Sequence, residues 1–142
     1  MTLTKLICST LGEIPGWDWH DSDLDAPEDE PHVYAPDAVV IYYGAIGTEP
    51  DKAVGVRVYG TTDEPDLSWR RAQLRLRGVA GRPDGADKLS APSFAILHGL
   101  SRLGGISSIS RQSMAPAGTD DNRREERTEN YLIILDNQES LT

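Results

Sequence analysis

The stretch "SWRRAQLRLRG", Ser68 to Gly78, constrains the fold more than any other part of the chain. With a period of two, Ala72, Leu74 and Leu76 point one way, and Arg71, Gln73, Arg75 and Arg77 point the other. That alternation is the mark of a strand with one face in a core and one in water. A helix would scatter the three apolar side chains around its circumference. The chain must therefore build a sheet with a covered side and an open side, and the open side carries a row of arginines.

That row is unexpected in so acidic a chain. The formal net charge is −9 over 142 residues. Residues 1–66 hold 14 Asp and Glu against 3 Lys and Arg, a net of −11, while residues 67–142 hold 9 against 11, a net of +2. Such asymmetry favours oriented contacts between copies of the chain or with partners. It argues against general nucleic-acid binding, which needs a basic domain.

The other elements follow from local pattern. Leu3, Leu6, Ile7 and Leu11 recur at helical spacing before Pro15-Gly16, so a helix is expected over about 2–13. Between Glu13 and Glu30 there are eight acidic residues and no basic one, and segment 17–32 reads as an exposed acidic loop. "DAVVIYYGAI" (37–46) and "AVGVRVYG" (53–60) read as strands, the second with Val54, Val56 and Val58 inward, and "TTDEPD" as a turn. Leu89, Ile96, Leu97, Leu100 and Leu103 predict a helix over about 86–103, with a cap at Asp84, Pro92 as a kink or a late start, and Gly104-Gly105 as the stop. Strands at 106–115 and 130–136 flank a polar loop at 117–129.

The expected fold is a single α+β domain over 1–142. It has a mostly antiparallel or mixed sheet of about four to five strands, with both helices on one face. Turns of five to eight residues between neighbouring strands favour antiparallel pairing. The N-terminus has too short an apolar core for a signal peptide. No run approaches the ~20 apolar residues of a membrane span. A soluble protein made in a reducing cytosol is expected, with Cys8 packing as a small hydrophobe.

Few residues carry chemistry. Asp21-x-Asp23-x-Asp25 resembles the first half of a calcium loop, but Ala26 and His32 stand where that loop needs Gly and Glu, so a solvated acidic loop is favoured. In "WDWHD", His20 between two aspartates suggests a general base, yet neighbouring residues point apart and no third group is evident. His98 is expected near a helix C-terminus, and His32 is isolated. There is no nucleophile elbow, phosphate loop or dinucleotide fingerprint. No catalysis, cofactor or metal is expected. The arginine strand has three readings: a nucleic-acid surface with stacking from Trp69, Tyr59 or Tyr43, a plain solvated face, or a subunit interface where arginine meets carboxylates. The third is favoured, with Arg71, Arg75, Arg77 and Trp69 as its residues.

From Asp37 to Asp136 the order of features resembles the tail terminator proteins of long-tailed bacteriophages, also described as minor capsid or tail completion proteins. The resembling elements are "VVIYYGAIGTEPDKAVGVRVYG", the turn "TTDEPD", "AQLRLRG", "ILHGLSRLGG" and "ISSISRQSMAPAGTDDNRREERTENYLIIL". The resemblance implies a structural virion protein at the tail–neck junction, made in the host bacterial cytoplasm. It implies a ring, commonly a hexamer, that caps the tail tube, ends its polymerisation and offers its other face to a head-completion or neck protein. It further implies that DNA passes through the lumen, where no specific binding is expected, and no membrane partner is expected. The rival readings are another head–tail joining protein, a nucleic-acid-binding accessory protein, and a small enzyme built on the Trp17–Asp25 loop.

Overall fold

The computed structural model describes residues 2–21 and 32–136. The chain runs α1 (Leu3–Leu11), β1 (Trp17–Asp18), β2 (Val39–Tyr43), β3 (Ala53–Glu64), β4 (Leu67–Arg77), α2 (Gly85–Leu97), β5 (Ile106–Thr119) and β6 (Glu125–Leu135). The strands form one sheet in the order β1-β2-β3-β4-β6-β5. The fold is α+β with a mixed sheet of six strands, slightly more than expected. The extra strand is Trp17–Asp18, at the start of the segment read as an acidic loop, which pairs with Val39–Val40.

The alternation in β4 decides which side of the sheet is covered. Val54 lies opposite Leu76 and Val56 opposite Leu74. On the other flank Ala72 lies opposite Tyr131 and Arg70 opposite Ile133. The apolar ones among these residues join Leu3, Ile7, Cys8 and Leu11 of α1 and Ala86, Leu89 and Leu97 of α2 in one core. Thr2 caps α1, its hydroxyl accepting from the Lys5 amide at 3.2 Å. Burial and the nearby Asp21 push the Cys8 thiol up to about 12, so it stays a neutral core group.

β2 and β3 pair in parallel although only residues 44–52 join them, against the antiparallel pairing expected for so short a connection. The ladder explains why nine residues suffice. It holds four pairs, Val40–Ala53 to Tyr43–Val56, so the return path is only about 10–13 Å. The connection crosses the sheet on the side away from the helices. Gly55 lies beneath it, where a side chain would overlap the Gly44 carbonyl and sit 3.0 Å from Ile46 Cγ1.

Three boundaries differ from expectation. β3 and β4 extend through the predicted turn to Glu64 and Leu67, because Thr61 and Thr62 pair with Arg70 and Trp69 beyond a bulge at Val58/Gly60. Most of the polar stretch 117–129 belongs to β5 and β6, leaving a turn at 120–124. There Asp120 accepts from the amides of Asn122 (3.0 Å) and Arg124 (2.9 Å) and replaces backbone pairing. α2 starts at Gly85 with Asp84 as N-cap, but no side-chain cap bond forms, and Pro92 lies inside the helix. It ends at Leu97 because the following backbone turns to the edge of β5: the Gly99 amide donates to Ile109 O (2.8 Å) and the Ile109 amide to Leu100 O (3.1 Å). Gly99 adopts φ +83°, a conformation glycine accepts without strain.

The glycine that ends "LRLRG" sets how closely α2 approaches the sheet. A side chain at Gly78 would overlap the backbone of Gly85 and Ala86. Gly78→Ala should therefore lower stability by on the order of 3 kcal/mol, the upper range for overpacking against a backbone that cannot yield. Urea unfolding monitored by circular dichroism measures this, and a change below ~0.5 kcal/mol would show that the helix shifts freely.

Candidate assembly interface

The sheet face away from the helices is polar across four strands. Arg57 lies opposite Gln73, Gln73 opposite Asn130, and Asn130 opposite Ser113. Gln73 Nε2 donates to Asn130 Oδ1 at 3.3 Å, and Asn130 Nδ2 donates to Ser113 Oγ at 3.0 Å. One step along, Arg71 lies beside Gly60 and Leu132, and beyond it Trp69 beside Thr62 and Ile134. A shallow cavity of about 220 Å³ opens here, lined by Tyr59, Arg71, Gln112, Asn130 and Leu132 among others. Tyr59, at the bulge, is 53 % exposed.

The four residues expected to form the interface divide by environment. Arg71 and Arg75 are exposed on the open face and Trp69 is half-buried. Arg75 Nε donates to Glu126 Oε1 at 2.7 Å, a pair of modest worth at the surface. Arg57 and Arg71 have no carboxylate partner among the described residues. Arg77 differs from the expectation of a solvent-facing side chain, being only 4 % exposed. It does point to the open side, but connection 44–52 covers it there. Its guanidinium donates to the carbonyls of Asp51 (2.8 Å), Gly47 (2.7 Å) and Pro50 (2.7 Å).

Arg124 holds the same connection from the turn of the last hairpin. It donates to Thr48 O at 2.7 Å and to Asp120 Oδ2 at 2.8 Å. Tyr42 adds a bond to Glu49 O at 2.6 Å, and its burial raises the phenol above its ordinary value. Burial and the neighbouring Arg124 charge lower Arg77 from its ordinary value. Two cations thus satisfy carbonyls that a nine-residue connection cannot pair with itself.

The three histidines make contacts within the fold. Asp23 and Asp25 of the calcium-like motif lie outside the described residues. His20 and His32 stack at 4.2 Å, and His32 Nε2 lies 3.2 Å from Asp18 Oδ2. His98 Nδ1 accepts the Arg111 amide at 3.0 Å, and its ring stacks on Phe94. Among the described residues no three His, Cys, Asp or Glu side chains converge to hold a metal.

Sequence reading missed Glu129, which is wholly buried between α2 and the sheet. Ser90 Oγ donates to it, Arg127 Nε donates at 2.7 Å, and Arg111 lies at 3.5 Å. The signal was present: Arg127, Glu129, Tyr131, Ile133 and Leu135 share one strand face, so the apolar alternation places Glu129 inward. Burial and the Glu129 charge raise the Tyr131 phenol well above its ordinary value.

The described residues thus form an open polar face beside a pinned connection, on a sheet backed by two helices. The comparison with known families makes this specific. Residues 22–137 match the family model for bacteriophage tail terminator protein, and the chain belongs to that family. The family is structural and tail-related, which places this chain among virion components that contact other tail or head proteins. No curated protein matches the chain. Two short tags that carried the resemblance have clear duties: the glycine of "LRLRG" admits α2, and "LHGL" ends that helix against β5.

The arginines should separate on substitution. Arg77→Ala strands three carbonyls and should cost about 3 kcal/mol, with faster hydrogen exchange in residues 44–52, whereas Arg71→Ala should stay within ~0.5 kcal/mol. Equal losses in urea unfolding would contradict the assignment. Acid behaviour gives a second check. Burial pushes the Asp120 carboxyl up, but bonds from the Arg124 amide, the Arg124 guanidinium and the Asn122 amide hold it below its ordinary 3.8. The unfolded chain then binds the proton more tightly, so this stabilisation is complete above about pH 4 and is lost as pH falls through the folded value. Asp120→Asn should flatten the stability–pH curve below pH 4, and an unchanged slope would remove the turn from the account.

Proposed function

We propose that this chain is a tail terminator that closes into a ring, commonly of six copies. The ring caps the tail tube, ends its polymerisation and joins the tail to a head-completion or neck protein. The observation that carries the reading is the family match over residues 22–137. The open face adds a means of assembly: Arg71, with Arg75 and Trp69 beside it, is exposed on a chain of net charge −9. Arginine forks suit carboxylates on a neighbouring subunit or on the tube. Arg77 contributes by holding connection 44–52 next to that surface.

The charge distribution supports the lumen as well. A passage for DNA needs walls that do not hold phosphates, and basic walls would bind them through counterion release. In this reading part of the acidic excess of residues 1–66 faces the lumen, and DNA passes without specific binding.

Electron microscopy of the concentrated protein should show rings with a central hole. Arg71→Glu, which leaves the core untouched, should reduce the ring population about tenfold by placing like charges in contact. Normal rings from that variant would remove Arg71 from the interface. Absence of rings from the unaltered chain, both alone and on tube ends, would remove the ring.

A further inference from the structure

A second surface lies where α2 begins, away from the arginine ladder. A groove of about 260 Å³ is lined by Lys52, Val79, Arg82, Gly85, Lys88 and Leu89. Its apolar part includes Val79, which is 39 % exposed. Its rim is cationic. Lys88 pairs loosely with Asp84 at 3.5 Å, while Lys52 and Arg82 have no carboxylate partner among the described residues. In a chain of net −9, three cations around an apolar hollow ask for a ligand that is acidic and carries an apolar side chain.

The chain contains such a segment. Between Asp21 and His32 the sequence reads "DSDLDAPEDEPH", with six carboxylates, no Lys or Arg, and Leu24 set between Asp23 and Asp25. Residues 22–31 lie outside the described structure, but both ends of the segment are placed. Lys5 Nζ lies 3.2 Å from Asp21 Oδ1, and the stacked rings of His20 and His32 bring the two ends together. The described residues on either side of it, His20 and His32, thus lie together beside Asp18 of β1.

We infer that the groove formed by Lys52, Arg82, Lys88 and Val79 receives the acidic segment Asp21–His32 of a second copy of this chain. Leu24 enters the apolar hollow, and its flanking carboxylates meet the cationic rim. The groove and the segment are different patches of one molecule, so the contact repeated head to tail from copy to copy is heterologous, the kind that closes rings. The inference rests on the self-assembly reading above and assigns it a second contact.

A fluorescently labelled peptide of residues 17–32, titrated into the full-length chain at low salt, tests it. Saturable binding is expected. It should weaken at least tenfold with Lys52→Glu plus Arg82→Glu in the protein, with Leu24→Asp in the peptide, and on raising the salt. Circular dichroism confirms that the protein variant is folded. No saturable binding, as would follow if each copy's own segment filled its groove, overturns the inference, and so does binding that the groove variant leaves unchanged. The titration does not depend on ring closure. Intact peptide binding without rings would count against the ring and not against the groove.

Discussion

The architecture depends on one buried cation. Arg77 ends the strand that organises the sheet, and its guanidinium holds three carbonyls of the connection between β2 and β3. Without those bonds the connection would lie across the sheet with unpaired carbonyls, each costing about 1–3 kcal/mol where water cannot reach. Parallel strands usually need a crossover of a dozen or more residues, commonly a helix. Here nine residues make the return because the β2–β3 ladder is short and two arginines replace the missing partners. The parallel edge β1-β2 is joined to the antiparallel remainder through this clamp and the β3 strand it precedes.

The same clamp shapes the outer surface. Connection 44–52 covers one end of the open face and leaves the rest to the ladder of Arg57, Gln73, Asn130 and Ser113 and to Arg71 beside it. A solvated face is ordinary for antiparallel strands. What distinguishes this one is that Arg57 and Arg71, on a chain with excess negative charge, have no carboxylate partner among the described residues. Arginine is costly to order and is enriched where it meets a partner's carboxylate, so such a face suits a protein whose work is assembly. Membership of the tail terminator family gives that work a setting.

Much of the scaffold was legible in the sequence because one physical rule governs it. The alternation in Ser68–Gly78, repeated in Val54, Val56 and Val58, sorts side chains between core and water, and it located the sheet and its covered face. The rule failed at Arg77, whose parity is outward but whose burial depends on a connection distant in sequence. It passed over Glu129, an inward position occupied by a charge whose partners Ser90 and Arg111 lie on other elements. Boundaries slipped where polar residues form strands by pairing with each other, as at Thr119 and Glu125. The parallel pairing of β2 and β3 could not be read from loop length, since it rests on two guanidiniums from other parts of the chain. The proposed interface residues follow from charge and exposure, and the sequence holds no local pattern that would name what they meet.

The proposed role of this chain is to end tube growth by binding the tube. The most direct measurement is the length of tubes formed when purified tail tube protein polymerises with increasing amounts of this chain, read by electron microscopy. The account predicts tubes that shorten as the chain is added, with a ring of extra density at one end of each. Tubes of unchanged length with bare ends, at concentrations where the chain is folded and in excess, would contradict it.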